Sequence, residues 1–234
     1  MTEPTLLSPA NRMPCTVAIF DLDNCLLDAR AMGTLFESAF VAIRRANNGT
    51  LSPDLLEDAI DQCWYTAFDL VADRFGFSTA MRDAGWHEFE QMEMRPPLSG
   101  YADIGLLPSL PVRKYLVTSG FRRLQQSKID ALGIAPWFER VVIDAINEPG
   151  PHGKGRIFAE ILAQEGCTPQ QVLVVGDNPL SELAAGRALG MVTVQTVRPG
   201  VSAWDAADHR VAGLEGVQQL LAVAQPQPQL QSQP

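Results

Sequence analysis

Short apolar runs alternate along the chain with stretches of helical periodicity. The runs are rich in Val and Ile and apolar on both faces, which is typical of strands buried in a parallel sheet. They predict strands at 16–20, 115–118, 141–143, 172–175 and 191–197. Helical periods at 123–132, 155–165 and 179–189 separate most of the later runs, and each ends at a glycine. This alternation predicts an α/β fold, a doubly wound parallel sheet with a Rossmann-like core.

The interval between the first two predicted strands breaks this rhythm. It has helical periodicity at 31–46, 54–75 and 79–94, which predicts three helices inserted into the core. We expect the many aromatic residues of this insert to form a small core of its own. The predicted organisation is an α/β core at 14–29 and 98–222, a helical cap at 30–97, and flexible tails at 1–13 and 223–234.

The composition limits the class of partner. The chain has 27 acidic and 18 basic side chains and a net charge of −9, which argues against nucleic acid or an anionic membrane surface as the main partner. No apolar run approaches the ~20 residues that span a bilayer, and the first residues do not resemble a signal peptide. The four cysteines form no CxxC pair, which favours reduced thiols in a cytoplasmic protein. The pattern leaves open whether the protein is a monomer or a homodimer.

The chemically competent side chains follow the predicted strands. In open α/β sheets the ligand lies beyond the carboxyl ends of the strands, so these positions meet at one edge. Acidic, hydroxyl and cationic groups there, or at the start of the next helix, are Asp21, Asp23, Thr118, Ser119, Lys154, Asp177 and Glu182.

These residue types suit phosphoryl transfer. Asp21 and Asp177 follow strands expected to be neighbours, and together they offer the hard oxygen ligands that Mg²⁺ prefers. Carboxylates this close need a divalent cation or a lysine to remain ionised together, and Lys154 fits as the fixed positive partner. The Thr118 hydroxyl and backbone N–H groups beside Ser119 can hold a phosphoryl group. The set predicts reaction through an aspartyl-phosphate.

Four segments in order strengthen this interpretation. The sequences DLDNCLLD, YLVTSG, HGKGRIF and VVGDNPLSE resemble the four motifs of the haloacid dehalogenase (HAD) superfamily. The helical insert is similar to the type-1 cap of that superfamily, and the resemblance covers about residues 15–200. A lone DxD would be a weak signal, whereas four ordered motifs at strand ends and a helix start are specific.

The resemblance implies roles for individual residues. Asp21 is the expected nucleophile, and Asp23 the general acid/base that protonates the leaving alkoxide and then activates water. Thr118 and Lys154 complete the expected catalytic set, and with Ser119 they are expected to bind phosphate.

The resemblance also implies a Mg²⁺ site. Its expected ligands are Asp21, Asp177 and the main-chain carbonyl of Asp23, while Glu182 orients Lys154 or a metal-bound water. Because the phosphatase branch keeps an acid at the position of Asp23, the expected activity is Mg²⁺-dependent hydrolysis of a small phosphorylated metabolite.

Two departures and several alternatives remain at this stage. Cys25 replaces the usual Thr of the first motif, which puts the rate in question, and either Glu182 or Ser181 completes the fourth. A phosphomutase or a 2-haloacid dehalogenase would share the scaffold. A phosphoacceptor module or an inactive interaction protein is a non-enzymatic alternative. Asp144 is expected to end its strand, and His152 to lie in a loop.

Candidates for substrate recognition are numerous and cannot be ranked from sequence. They are Arg30, Arg44, Arg45, Trp64, Arg82, Arg122 and Arg123.

Overall fold

A computed structural model describes residues 15–150 and 153–223. Its central sheet has six parallel strands in the order β3-β2-β1-β4-β5-β6. The strands are β1 (Val17–Phe20), β2 (Arg113–Gly120), β3 (Arg140–Ala145), β4 (Val172–Gly176), β5 (Val192–Thr196) and β6 (His209–Val211). The order reverses direction at β1, which places the switch point between β1 and β4. The predicted doubly wound parallel sheet is confirmed.

Helices cover both faces of this sheet and fill the interval after β1. They are α1 (Glu37–Ala46), α2 (Pro53–Gln62), α3 (Phe68–Phe75), α4 (Thr79–Gln91), α5 (Arg122–Leu132), α6 (Lys154–Glu165), α7 (Glu182–Ala188) and α8 (Leu214–Val223). Within the described ranges, no helix is long and apolar enough to cross a membrane.

Strand β1 shows why the runs are apolar on both faces. Val17 and Ile19 pack in a cluster with residues of α6, whereas Ala18 and Phe20 pack in a second cluster with residues of α5 and α8. Successive strand residues point to opposite faces, so a strand covered on both sides needs apolar residues at every position. All four residues of β1 are buried.

The five predicted strands are present, and β6 is a sixth that the pattern did not predict. It has only three residues, none of them fully buried, so it carries no apolar run. The predicted helix 179–189 begins later than expected. The Asn178 side chain caps a turn by accepting from the Leu180 N–H, and α7 begins only at Glu182.

The helical insert, predicted at residues 30–97, contains four α-helices rather than the predicted three. The predicted helix 54–75 is interrupted between α2 and α3 by a turn at residues 63–67. Ser52 caps the start of α2, and Gly76 ends α3 in a left-handed conformation with φ 69°. The two ends of the predicted helix 54–75 are therefore close to the observed ones, but the apolar period continues through the turn, so the interruption was not predicted.

The insert has a hydrophobic core of its own, as expected. Phe36, Phe40, Phe68 and Phe89 are buried in one cluster, against which Trp64 packs. Of the predicted tails, 1–13 and 224–234 lie outside the described residues, and Val223 is the last residue of α8. His152, predicted to lie in a loop, is also outside them.

Candidate active site

The acidic residues of the first and fourth motifs meet at the switch point. β1 and β4 are paired in register through Phe20 and Val175, and the Asp21 N–H donates to the Val175 carbonyl at 2.9 Å. Carboxylate oxygens of Asp21, Asp177 and Glu182 consequently lie within 4.8 Å of one another, and all three residues are buried. The predicted convergence of Asp21 and Asp177 is present in the structure.

Lys154, the first residue of α6, lies among these carboxylates. Its Nζ donates to Asp21 Oδ1 at 2.7 Å and to Glu182 Oε2 at 2.8 Å. Burial lowers the pKa of Lys154, but the charges of Asp21 and Glu182 outweigh burial and raise it above its ordinary value. The lysine is therefore a permanent cation that fixes one oxygen of Asp21.

Gly176 lets Glu182 reach this position. A Cβ on Gly176 would lie 2.5 Å from the Glu182 Cγ, closer than side-chain atoms approach one another. The second carboxylate oxygen of Glu182 accepts from the Asn178 N–H at 2.6 Å. Glu182, rather than Ser181, is thus the side chain that contacts Lys154.

The acidic cluster carries more negative charge than one lysine neutralises. Burial raises the pKa of Asp21 to about 7, against the lowering effect of Lys154 and with a further contribution from Glu182. Burial, followed by the charges of Glu182 and Asp21, raises the pKa of Asp177 well above its ordinary value. An all-oxygen, buried and under-neutralised donor set fits Mg²⁺, which would restore the ionised forms.

Asp23 is held by two residues that the sequence analysis missed. Lys128 Nζ donates to both carboxylate oxygens at 2.9 Å, and Gln125 Nε2 donates to Oδ2 at 3.0 Å. The same Gln125 amide donates to Thr118 Oγ1 at 2.6 Å, so it connects Asp23 to the end of β2. Gln125 and Lys128 lie three residues apart on the buried face of α5. Residues three apart lie on the same face of a helix, so this spacing was the sequence signal that both side chains point in the same direction.

The hydroxyl groups at the end of β2 have different surroundings. Thr118 is buried and faces Gln125, whereas the Ser119 hydroxyl donates to Asp144 Oδ2 at 3.2 Å. Asp144 also accepts from the Gly153 N–H at 3.0 Å, directly before Lys154. Asp144 therefore does more than end its strand, because it fixes the approach to α6.

A cavity of about 110 Å³ opens onto this arrangement. Its lining includes four residues at strand ends and two at the starts of helices, namely Asp21, Asp23, Thr118 and Ser119, and Lys154 and Glu182. The opposite wall is apolar and comes from the insert and from the first turn of α5 with the residue before it. Side chains of this wall include Met32, Phe36, Trp64, Phe68, Leu70, Phe89, Phe121 and Leu124.

The turn between α2 and α3 is attached to both acid-bearing loops. The Asn24 side chain donates to the Trp64 carbonyl at 2.9 Å, and the Asn178 side chain donates to the Tyr65 carbonyl at 3.0 Å. Asn24 follows Asp23 and Asn178 follows Asp177, so each motif contributes one contact to the insert.

The sequence matches the haloacid dehalogenase-like hydrolase family over residues 15–190. The chain belongs to this family. The match covers the strand-end motifs and the insert, and it confirms the prediction of a hydrolytic enzyme of this superfamily.

This hydrolase is similar in sequence to a phosphatase and similar in fold to solved structures that include a dehalogenase. A glyceraldehyde 3-phosphate phosphatase of Methanopyrus kandleri is 25% identical over 199 residues, 77% of this chain and 83% of that protein. The magnesium-bound structure of the HAD hydrolase YfnB from Bacillus subtilis has a TM-score of 0.56 at 15% identity, with 90% and 99% coverage. The L-2-haloacid dehalogenase of Xanthobacter autotrophicus has a TM-score of 0.53 at 15% identity, covering 88% and 98%. At these identities, the two structures support the fold alone.

Cys25 of the hydrolase is a packed thiol. It is fully buried, and its Sγ donates to the Val175 carbonyl at 3.6 Å. Burial, followed by the charges of Asp21 and Asp177, raises its pKa well above the ordinary value, so the thiol stays neutral. It occupies the position of the usual Thr as a small core residue.

Most of the arginines considered for substrate recognition are paired elsewhere in the hydrolase. Partners on the surface are Glu57 for Arg44, Asp73 for Arg82, Glu148 for Arg122 and Glu93 for Arg123. Arg30 pairs with Asp61 and lies 5.5 Å from the ring centroids of Trp64 and Tyr65. Of the seven sequence candidates, Trp64 alone is among the residues that line the cavity.

Proposed function

We propose that this hydrolase is a Mg²⁺-dependent phosphatase that cleaves a small phosphomonoester through an aspartyl-phosphate on Asp21. The main support for the proposal is the position of Asp23. This acid lies two residues after the nucleophile, and Lys128 and Gln125 hold it at the cavity. A leaving alkoxide needs a proton donor, and a leaving halide does not. The phosphatase name of the Methanopyrus relative supports the same reaction class.

The two chemical steps follow from the carboxylates. In the first, an Asp21 oxygen forms a bond to phosphorus, the bond from phosphorus to the ester oxygen breaks, and Asp23 gives that oxygen its proton. In the second, Asp23 takes a proton from water, the water oxygen bonds to phosphorus, and Asp21 is released as carboxylate with inorganic phosphate. Lys154 keeps the other Asp21 oxygen fixed during both steps.

The phosphoryl group is held at the sheet edge by the side chains of Thr118 and Lys154 and by the backbone of Ser119, whose hydroxyl donates to Asp144. We assign Thr118, Ser119 and Lys154 to its binding, since all three line the cavity. When bound by Asp21, Asp177 and the Asp23 carbonyl, Mg²⁺ would neutralise charge on the phosphoryl oxygens. Glu182 orients Lys154.

The insert acts in this proposal as a cap that excludes water from the phosphoryl group. Its turn at 63–67 lies against Asn24 and Asn178, and its aromatic side chains line the cavity. Exclusion of water strengthens the electrostatic contacts inside and protects the reactive intermediate. A cytoplasmic location is part of the proposal, and it is supported by the four cysteines of the described residues, none of which forms a disulfide.

Phosphate release from a panel of phosphomonoesters tests the proposal. We expect turnover with Mg²⁺, its loss with a chelator, and a decrease of more than about 10⁴-fold in Asp21→Asn. Asp58→Asn, a change at an exposed acid of α2, is the matched control and should retain full activity. Full activity of Asp21→Asn would refute the mechanism. Release of halide from a 2-haloacid, or phosphate transfer within a sugar phosphate, would identify a dehalogenase or a mutase instead.

A further inference from the structure

The cavity has two chemically different ends. The sheet edge supplies carboxylates, hydroxyls and Lys154, whereas the wall from the insert and the start of α5 supplies aromatic and aliphatic side chains. Phe36 and Trp64 stack with ring centroids 4.6 Å apart, and Phe89 and Phe121 stack at 5.7 Å. With the phosphoryl group at the sheet edge, the organic part of the substrate faces this apolar wall.

The charged side chains that line the cavity are already paired with one another. Three are carboxylates, and the two cations are lysines. Lys154 donates hydrogen bonds to Asp21 and Glu182, and Lys128 donates hydrogen bonds to both carboxylate oxygens of Asp23. Each lysine is almost fully buried, so neither can turn away from its carboxylate to meet a distant ligand group.

A substrate that carried a second anion would need another cation. Among the described residues, no arginine lines the cavity. Arg30 is the nearest candidate in sequence to the first motif, but its guanidinium is bonded to Asp61 and to the Tyr65 hydroxyl. Thr66 and Tyr65 are the polar residues that the insert adds to the lining, so a carboxylate placed against this wall would be buried without a cation, which is unfavourable.

We propose that the cavity selects phosphomonoesters whose leaving group is uncharged and largely apolar, and that it excludes leaving groups with a second anionic group. This inference rests on the proposed phosphatase function and narrows its substrate class. The apolar wall favours an uncharged leaving group because it removes the apolar surface of that group from water. An anionic leaving group is excluded because no cation among the described lining residues is available to pair with it.

Two esters of equal shape test this selectivity. Isobutyl phosphate and phosphoglycolate differ by replacement of an isopropyl group with a carboxylate, and both are small. We expect kcat/KM for isobutyl phosphate to exceed that for phosphoglycolate by at least about tenfold. Equal values, or a preference for phosphoglycolate, would overturn the inference.

A cation added to the apolar wall provides a second test of this selectivity. Leu70 of α3 lines the cavity and is 50% exposed, so Leu70→Arg adds a guanidinium without opening the core. We expect the preference for the uncharged ester to fall at least about threefold. Leu55 of α2 is 49% exposed and lies outside the cavity lining, and Leu55→Arg should leave the preference unchanged. An unchanged preference in Leu70→Arg would show that the wall does not set it.

Binding separates this inference from the reaction. The non-hydrolysable phosphonates 3-methylbutylphosphonate and 3-phosphonopropanoate reproduce the two esters, and their dissociation constants can be measured by calorimetry in Mg²⁺. We expect at least about tenfold tighter binding of the uncharged phosphonate. If this preference holds while no ester is hydrolysed, the proposed function fails and the selectivity stands. If the esters are hydrolysed and the phosphonates bind equally, the selectivity fails and the function stands.

Discussion

The two walls of the cavity are built in different ways. At the sheet edge, each functional group follows a strand or opens a helix, and hydrogen bonds of 2.6 to 3.0 Å connect Asp21, Asp23, Thr118 and Lys154 to partners. The wall contributed by the insert contains no charged lining residue within the described part of the chain, and its side chains contact one another through ring packing. Its lining residues come from several helices and from the turn at 63–67.

In the proposed function, the sheet edge carries out the chemistry and the insert wall recognises the leaving group. Hydrogen bonds at strand ends fix atoms to fractions of an ångström, which bond making and breaking requires. Ring packing fixes shape and polarity, which is sufficient to accept or reject a leaving group. Changes on the two walls should therefore alter different kinetic constants.

The largest effect is expected for Asp23→Asn at the sheet edge. Loss of the proton donor should lower kcat/KM, which reports formation of the aspartyl-phosphate, by about 10²–10⁴-fold for isobutyl phosphate, whose alkoxide leaves only with a proton. For 4-nitrophenyl phosphate, whose leaving group needs no proton, the loss should be much smaller. An equal loss of kcat/KM for both esters would show that Asp23 does not act as the acid.

Lys128→Met should give the next largest effect. Lys128 holds both carboxylate oxygens of Asp23, so its removal frees the acid to rotate, and we expect kcat to fall by up to about 10²-fold with little change in KM. Lys114→Met is the matched control, because Lys114 contacts the backbone carbonyls of Leu110 and Val112 instead.

A merely structural role for Lys128 would lower the melting temperature without the selective loss of kcat. Calorimetry of the two lysine variants therefore accompanies the kinetics. The loss in Lys128→Met should also be smaller for 4-nitrophenyl phosphate than for isobutyl phosphate, as for Asp23→Asn. If Lys128→Met and Lys114→Met have the same kcat, the same melting temperature and the same ratio of rates for the two esters, Lys128 does not position the acid.

Trp64→Leu on the insert wall should change KM rather than kcat. Trp64 lines the cavity and stacks on Phe36, so we expect KM to rise by about three- to tenfold while kcat stays within a factor of about two. Trp86→Leu removes an indole of the same insert that lies outside the cavity lining, and it should leave KM unchanged. A large fall of kcat in Trp64→Leu would abolish the proposed division between the walls.

The smallest effect concerns the stability of the metal-free protein. Burial raises the pKa of Asp21 from its ordinary 3.8 to about 7, so between these values the folded state keeps a proton that the unfolded chain has lost. Stability therefore falls as pH rises from about 4 to about 7. Asp21→Asn removes this effect and should stabilise the metal-free protein at pH 7.5 by about 1–2 kcal/mol, or roughly 3–6 °C.

Thermal unfolding at several pH values in a chelator measures this difference. The advantage of Asp21→Asn should shrink as the pH falls towards 4, because the wild-type carboxyl is then protonated in the folded state and increasingly protonated in the unfolded chain. Mg²⁺ should stabilise the wild type more than the variant at pH 7.5, because it binds the ionised cluster. A variant less stable than the wild type at pH 7.5 would contradict the assignment of Asp21 as an unfavourably buried charge.

The sequence was sufficient for the parts of the site that follow strands. A parallel sheet brings the carboxyl ends of its strands to one edge, so locating the run before Asp21 and the run before Asp177 also locates the two acids relative to each other. Lys154 could be placed because it opens a helix between two such strands. The strand pattern therefore carried both the fold and the acidic cluster.

Other features depend on orientation that a linear pattern does not contain. Gln125 and Lys128 lie on the inner face of α5, but their polar character predicts an exposed face, and only the packing of α5 against the cavity turns them inward. The turn at residues 63–67 was hidden because the apolar period of α2 continues into α3. Its carbonyl groups are satisfied by Asn24 and Asn178, which are distant in sequence.

The contacts of Asn24 and Asn178 with the turn at 63–67 also have a kinetic consequence. For the insert to lift away from the sheet, both amide-to-carbonyl hydrogen bonds must break in the same movement. At about 1 kcal/mol each, they would reduce the population of an opened form by roughly thirtyfold. Release of phosphate would then require these two hydrogen bonds to break together, so the same loops that carry Asp23 and Asp177 would also set how fast the product leaves.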